Sequence, residues 1–101
     1  MEPALNVGTI EKPDIFKFLD FRSFLRTIYD FRKKDNPVFS YTVFARKANM
    51  NKSLLRAIIE NRRSLSEDRA SDLAKACELN EWESAYFVAL VMWSQSTDSQ
   101  V

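Results

Sequence analysis

The sequence has no histidine, one cysteine and one glycine among its 101 residues. Because Cys77 is the single thiol, the chain cannot build an internal disulfide or a Cys/His zinc site, and we expect Cys77 to be a small buried group on a helix. One glycine also excludes the glycine-rich loops that bind phosphates in many enzymes. The usual pairs of nucleophile and base are missing too, so we expect no enzymatic activity, no cofactor and no small-molecule ligand.

Long apolar runs are missing as well. The longest, Ala85 to Trp93, is far shorter than the roughly 20 residues needed to span a bilayer. The sequence does not open with a signal-peptide pattern. We therefore expect a cytoplasmic protein without membrane contact. An apolar share of 46% over this length fits one domain with its own core.

Apolar residues recur at helical spacing in five segments, which predicts an all-α bundle of about five helices. We expect these helices near residues 15–35, 40–48, 51–61, 66–78 and 81–94. Residues that favour helix starts precede them, namely Asp14 or Asp20, Ser40, Asn51, Ser66, and Asn80 paired with Glu83. Residues 1–13 are expected to form a flexible N-terminal arm, residues 14–94 the folded domain, and residues 95–101 a polar tail.

Charge is segregated along the chain, although the net charge is only +1. Residues 40–63 hold six Lys and Arg against one Glu, whereas residues 64–101 hold two basic residues against seven acidic ones. A DNA-binding protein needs basic charge where it contacts phosphates. A solvated helix surface is often charged too, so charge alone leaves both interpretations open.

The basic stretch, residues 40–63 (SYTVFARKANMNKSLLRAIIENRR), consists of two short helical segments that meet at Asn49-Met50-Asn51. It resembles a phage-repressor-type helix-turn-helix, read without a gap. The residues that carry the resemblance are Ser40 as the first cap, Phe44-Ala45, Asn49 at the turn, Met50, the buried pair Leu55 and Ile58, and Arg62-Arg63. The resemblance implies that the second helix, residues 51–61, lies in the major groove of DNA.

A narrower resemblance covers most of the chain. The segments FLDFRSFL, FSYTVFARKA, NRRSLS and EWESAYFVALV are similar to the N-terminal domain of a family of bacterial helix-turn-helix regulators that usually carry a C-terminal domain of unknown function. This implies a sequence-specific transcriptional regulator that binds double-stranded DNA. Asn49 and Asn61 replace two glycines of the pattern, and Asn is the residue that best tolerates the left-handed backbone that glycine supplies.

The helix-turn-helix resemblance also implies roles for individual residues. The candidates to face bases are Lys52, Ser53 and Arg56, and the candidates to contact phosphates are Tyr41, Arg46, Arg62 and Arg63. Each has a plainer interpretation. Arg56 is spaced to pair with Glu60, Tyr41 could pack in the core, and Arg46 could be a solvated charge.

A protein-interaction module, an adaptor or antagonist of a regulator that does not bind DNA, is the alternative function. Three features favour it: the near-zero net charge, the apolar character of Leu54 and Ile59, and the absence of residues that match the family's second domain. A continuous positive surface over the second motif helix would favour DNA, and apolar groups in that surface would favour a protein partner.

The last predicted helix is apolar all the way round, which implies a second burial surface. The first helix could cover that surface within one chain. A second copy could also cover it, and because a single motif contacts few base pairs, we expect a homodimer on a near-palindromic site. The expected interface, with help from the first helix, is formed by Tyr86, Val88, Leu90 and Trp93.

Overall fold

The computed structural model describes residues 12–98, and no strand lies among them. A short 3-10 turn, Ile15–Lys17, precedes the α-helices. These are α1 (Phe21–Asp35), α2 (Tyr41–Lys47), α3 (Lys52–Ile59), α4 (Glu67–Ala76) and α5 (Glu81–Asp98). The predicted all-α bundle is therefore confirmed. No helix in this part of the chain is long and apolar enough to cross a membrane.

The first predicted helix, residues 15–35, is divided in two. The carboxylate of Asp14 accepts a hydrogen bond from the backbone N–H of Phe16 at 3.0 Å, and that of Asp20 accepts one from Arg22 at 3.1 Å. Each carboxylate satisfies a free N–H at a helix start. Both candidate caps are therefore used, so the single uninterrupted helix expected from residue 15 is wrong.

The last helix is longer than predicted, because α5 continues to Asp98 rather than ending near residue 94. The side chain of Gln95 gives a physical reason. Its Oε1 accepts from the backbone N–H of Leu65 at 2.6 Å and its Nε2 donates to the Leu65 carbonyl at 2.7 Å. The segment predicted as a polar tail thus begins inside a helix. Residues 99–101, and residues 1–11 of the predicted arm, lie outside the described residues.

Helices α2, α3 and α4 end in the same way, with a left-handed residue just after the helix. These residues are Asn49 (φ 60°), Asn61 (φ 64°) and Glu78 (φ 61°). The following N–H bonds back into the helix, from Met50 to the Ala45 carbonyl at 3.0 Å and from Arg62 to the Ala57 carbonyl at 2.7 Å, which is the Schellman arrangement. The expectation that Asn49 and Asn61 adopt left-handed backbone is therefore confirmed.

All five helices contribute to one core, and no polar or charged residue is buried among residues 12–98. The largest buried side chains of the helices are Phe21, Phe24, Leu25, Ile28, Phe44, Leu55, Ile58, Leu73, Phe87 and Val91. Cys77 is fully buried with them, as expected, and burial raises the pKa of its thiol to about 12. The thiol is therefore protonated and unreactive at neutral pH.

We expect Asn49→Ala and Asn61→Ala each to lower the free energy of unfolding by about 1 kcal/mol, because a Cβ-bearing residue without a local hydrogen-bonding side chain resists left-handed backbone. The matched variants Asn49→Gly and Asn61→Gly should remain close to the parent. Urea unfolding, followed by circular dichroism, measures the free energy of unfolding of all four variants. Ala and Gly variants of equal stability would contradict the role assigned to these backbone angles.

Candidate nucleic-acid interface

Helix α3 has one face in the core and one face in solvent. Leu55 and Ile58 are fully buried, whereas Lys52, Ser53 and Arg56 are exposed. The helix begins at Asn51, whose side-chain oxygen accepts from the backbone N–H of Leu54 at 2.8 Å. The cap stabilises the first turn, and the burial of Leu55 and Ile58 fixes which side of the helix faces outward. The three residues predicted to face bases therefore lie on the solvent side of the helix.

The apolar residues of α3 that favoured a protein partner have a structural explanation. Ile59 is only 4% exposed and belongs to the core, and Leu54 is half-buried against that core. Ile59 therefore does not form an exposed apolar surface on α3. The apolar character of α3 therefore gives little support to a protein-interaction module.

An open recess of about 500 Å³ separates the first turns of α3 from the loop that follows the helix. Its lining residues are Asn51, Ser53, Leu54, Ala57, Arg62 and Arg63. A base-facing candidate, Ser53, thus shares one concave surface with the two predicted phosphate contacts Arg62 and Arg63. Because this surface carries two guanidinium groups, it suits an anionic ligand with a polar edge.

Glu60 joins two of the predicted DNA contacts. Its Oε1 accepts from Nη2 and Nε of Arg62 at 2.7 and 3.1 Å, and its Oε2 accepts from Nη2 of Arg56 at 3.3 Å. The hydrogen bonds from Arg62, and then from Arg56, hold the pKa of Glu60 below its usual value. The expected pairing of Arg56 with Glu60 is therefore present, and both arginines would have to release or share this carboxylate to contact DNA.

Tyr41 packs against a neighbouring aromatic residue. Its ring lies parallel to that of Tyr29, with the ring centres 4.0 Å apart and the planes 4° apart. On α3, Cζ of Arg56 lies 5.4 Å from the centre of the Tyr41 ring. Burial, and then Tyr29, raise the pKa of the Tyr41 hydroxyl, so it keeps its proton at physiological pH. Tyr41 is thus a packing residue that positions Arg56 and still retains a hydrogen-bond donor.

Three further cations of the predicted site are exposed. Lys52 lies in the first turn of α3, Arg63 in the loop after it, and Arg46 in the last turn of α2. Within residues 12–98 none of these three side chains forms an ion pair. They are therefore the cations that are most available to phosphates.

Two arginines of α1 hold the far end of α3, and sequence reasoning did not identify them. Nε of Arg22 donates to the carbonyl of Ile58 at 2.9 Å, and Nη1 of Arg26 donates to the carbonyl of Ile59 at 3.0 Å. The last carbonyls of a helix have no partner within it, and they carry the negative end of its dipole. The acceptors lie 36 and 33 residues away in the chain, and no local sequence pattern points to them.

The residues predicted for a dimer interface are divided between the core and the surface. Leu90 is 6% exposed, Val88 is half-buried, and Tyr86 donates its hydroxyl to the Phe18 carbonyl at 2.7 Å. Only Trp93 is largely exposed, at 62%. Helix α1 contacts α5 through Phe87, and the turn before α1 contacts it through the rings of Phe16 and Tyr86. The segment predicted as the first helix therefore covers part of α5 within one chain, which is one of the two expected alternatives.

Protein-family models, curated protein sequences and solved structures were compared with this chain, and none of them matches it. Residues 12–98 contain no group of three or more His, Cys, Asp or Glu placed to hold a metal ion. The function therefore has to be inferred from the geometry around α3.

We expect Arg22→Ala and Arg26→Ala each to lower the free energy of unfolding by about 1–2 kcal/mol, because each leaves a carbonyl at the end of α3 without its charged donor. Arg69→Ala removes an exposed arginine from α4 and should change stability by less than about 0.5 kcal/mol. Unfolding in denaturant measures the free energy of unfolding of the three variants and the parent. Equal effects at all three positions would show that the hydrogen bonds to α3 contribute nothing specific.

Proposed function

We propose that this protein is a sequence-specific transcriptional regulator that binds double-stranded DNA with α3 in the major groove. The observation that carries the proposal is that α3 has one buried side and one exposed side. Its apolar side is in the core, while Lys52, Ser53 and Arg56 face solvent beside a recess that Arg62 and Arg63 also line. A recognition helix needs this separation of a packed side from a polar side.

The side chains available on this surface divide between two tasks. Arg and Lys match the acceptors of guanine in the major groove, and Ser accepts several bases, so Lys52, Ser53 and Arg56 are the proposed base contacts. Arg46, Arg62 and Arg63, with the protonated hydroxyl of Tyr41, are the proposed phosphate contacts. We further propose that the protein acts as a homodimer, because a single eight-residue helix reaches few base pairs.

The alternative is a protein-interaction module that does not bind DNA. The net charge of only +1 still supports it. Exposed apolar residues on α5, including Trp82 at 80%, offer a surface for a protein. That surface is compatible with DNA binding through α3, so it does not separate the two functions.

Binding of genomic DNA fragments at several salt concentrations tests the proposal directly. Contacts to phosphates release counterions, so the affinity should fall steeply and log-linearly as salt rises. A subset of fragments should retain binding at salt concentrations that abolish binding to the rest. Absence of binding at low salt would leave the protein-interaction module as the better function.

Single alanine variants should separate the two proposed groups of contacts. Lys52→Ala and Arg56→Ala should each cost about 1–3 kcal/mol on the preferred sequence and relax its preference. Arg62→Ala and Arg63→Ala should weaken binding to all sequences and reduce the salt slope by about 1 each. Lys75→Ala, on α4, is the control. If all four variants bound DNA like the parent at matched salt, α3 would not be the interface.

Glu60→Gln should tighten DNA binding, because it frees Arg56 and Arg62 from a carboxylate that competes with phosphates. The part of the gain that comes from Arg62 should occur on all sequences and steepen the dependence on salt, whereas the part that comes from Arg56 should be largest on the preferred sequence. Asp35→Asn removes an equal charge from an exposed position to which no arginine of residues 12–98 is bound. An equal gain from Asp35→Asn would mean that net charge, and not the release of the arginines, is responsible.

A further inference from the structure

The side of α5 that faces away from the core carries a continuous apolar stripe. Trp82, Met92 and Trp93 are 80%, 38% and 62% exposed, and the exposed residues Ala85 and Ala89 lie between them. Spacings of three and four residues place all five on one face of the helix. We call this face the outer stripe, and it contains no charged residue.

The opposite side of α5 is fully occupied. Phe87 and Val91 are completely buried in the core, and Phe87 contacts the rings of Phe21 and Phe24 in α1. Helix α5 is thus apolar on two opposite faces, and only one of them is covered by the rest of the domain. Exposed apolar stripes with two tryptophans are uncommon on surfaces that only contact water.

Four of the five residues of the outer stripe are spaced symmetrically about position 87. Trp82 and Met92 each lie five residues from position 87, and Ala85 and Ala89 each lie two residues from it. Two antiparallel copies of the stripe, related by a two-fold axis near position 87, would therefore place Trp82 opposite Met92 and Ala85 opposite Ala89. A two-fold interface needs this self-complementarity.

We propose that a second copy of this chain binds to the outer stripe, with the two α5 helices antiparallel. The alanines at the centre allow the helices to approach closely, and Trp82 packs beside Met92 of the partner subunit at each end. The same symmetry brings the carboxylate of Glu81 next to Trp93 of the partner subunit, whose indole N–H is a hydrogen-bond donor.

The charge on α5 argues against nucleic acid or an anionic membrane as the partner of the outer stripe. The helix contains no lysine or arginine, and it carries Glu81 and Glu83 in its first turn. Nucleic acid and anionic membranes attract basic surfaces, so neither is favoured here. The inference concerns protein association only, and it is measured without DNA, so its failure would be distinct from a failure of the proposed DNA binding.

Sedimentation of the full chain at micromolar concentration, without DNA, tests the association. The parent should sediment with the mass of two chains. Ala89→Glu should sediment as one chain, with dimerisation weakened at least about tenfold, because two carboxylates would meet near the axis. Ser71→Glu adds the same charge to an exposed position of α4 and should remain dimeric. Unchanged circular dichroism of Ala89→Glu would show that it is folded. A monomeric parent would overturn the proposal.

Disulfide formation tests the orientation. Chains with Trp82→Cys, mixed with chains with Met92→Cys, should form a disulfide between the two variants and little with their own kind. In the antiparallel pair two positions 82 are about 15 Å apart along the helix axis, too far for a disulfide. Cys77 does not interfere because it is buried. Bonds between two Trp82→Cys chains would indicate a parallel pair, and a dimer without any disulfide would mean a different interface. Either result would overturn the proposal.

Discussion

Helix α3 is eight residues long, which is too short to remain helical in water without support from the rest of the protein. Three supports hold it. Asn51 caps its start, Leu55 and Ile58 anchor its inner face in the core, and Arg22 and Arg26 donate to its last carbonyls. Each support acts on a different part of the helix. Together they determine which side chains face solvent, so the candidate interface depends on residues other than those proposed to contact DNA.

Electrostatics add a second constraint on the same surface. Six basic residues within residues 40–63 repel one another, and Glu60 offsets part of this repulsion by holding Arg56 and Arg62. Exposed ion pairs of this kind contribute little to stability, so a phosphate group can replace the carboxylate at small cost.

Features that depend on neighbouring residues were predictable from the sequence, and features that depend on distant ones were not. The caps at Ser40, Asn51 and Asn80 and the left-handed backbone at Asn49 each arise within a few residues. The hydrogen bonds from the α1 arginines join residues 36 and 33 positions apart, and no sequence period encodes them. The burial of Leu90 was missed for another reason: a helix that is apolar all round does not reveal which side packs inward.

The loop after α3, which carries Arg62 and Arg63 and is called the basic loop, is held by hydrogen bonds at both of its ends. At one end the backbone N–H of Arg62 bonds to the Ala57 carbonyl, and at the other the backbone of Leu65 exchanges two hydrogen bonds with Gln95 of α5. Only Ser64 separates Arg63 from Leu65. In the proposed dimer, the helix that joins the two chains would therefore also anchor each basic loop. The separation of the two loops would then be fixed by a helix rather than by a flexible linker, and a fixed separation is what allows two weak contacts to act together on one DNA site.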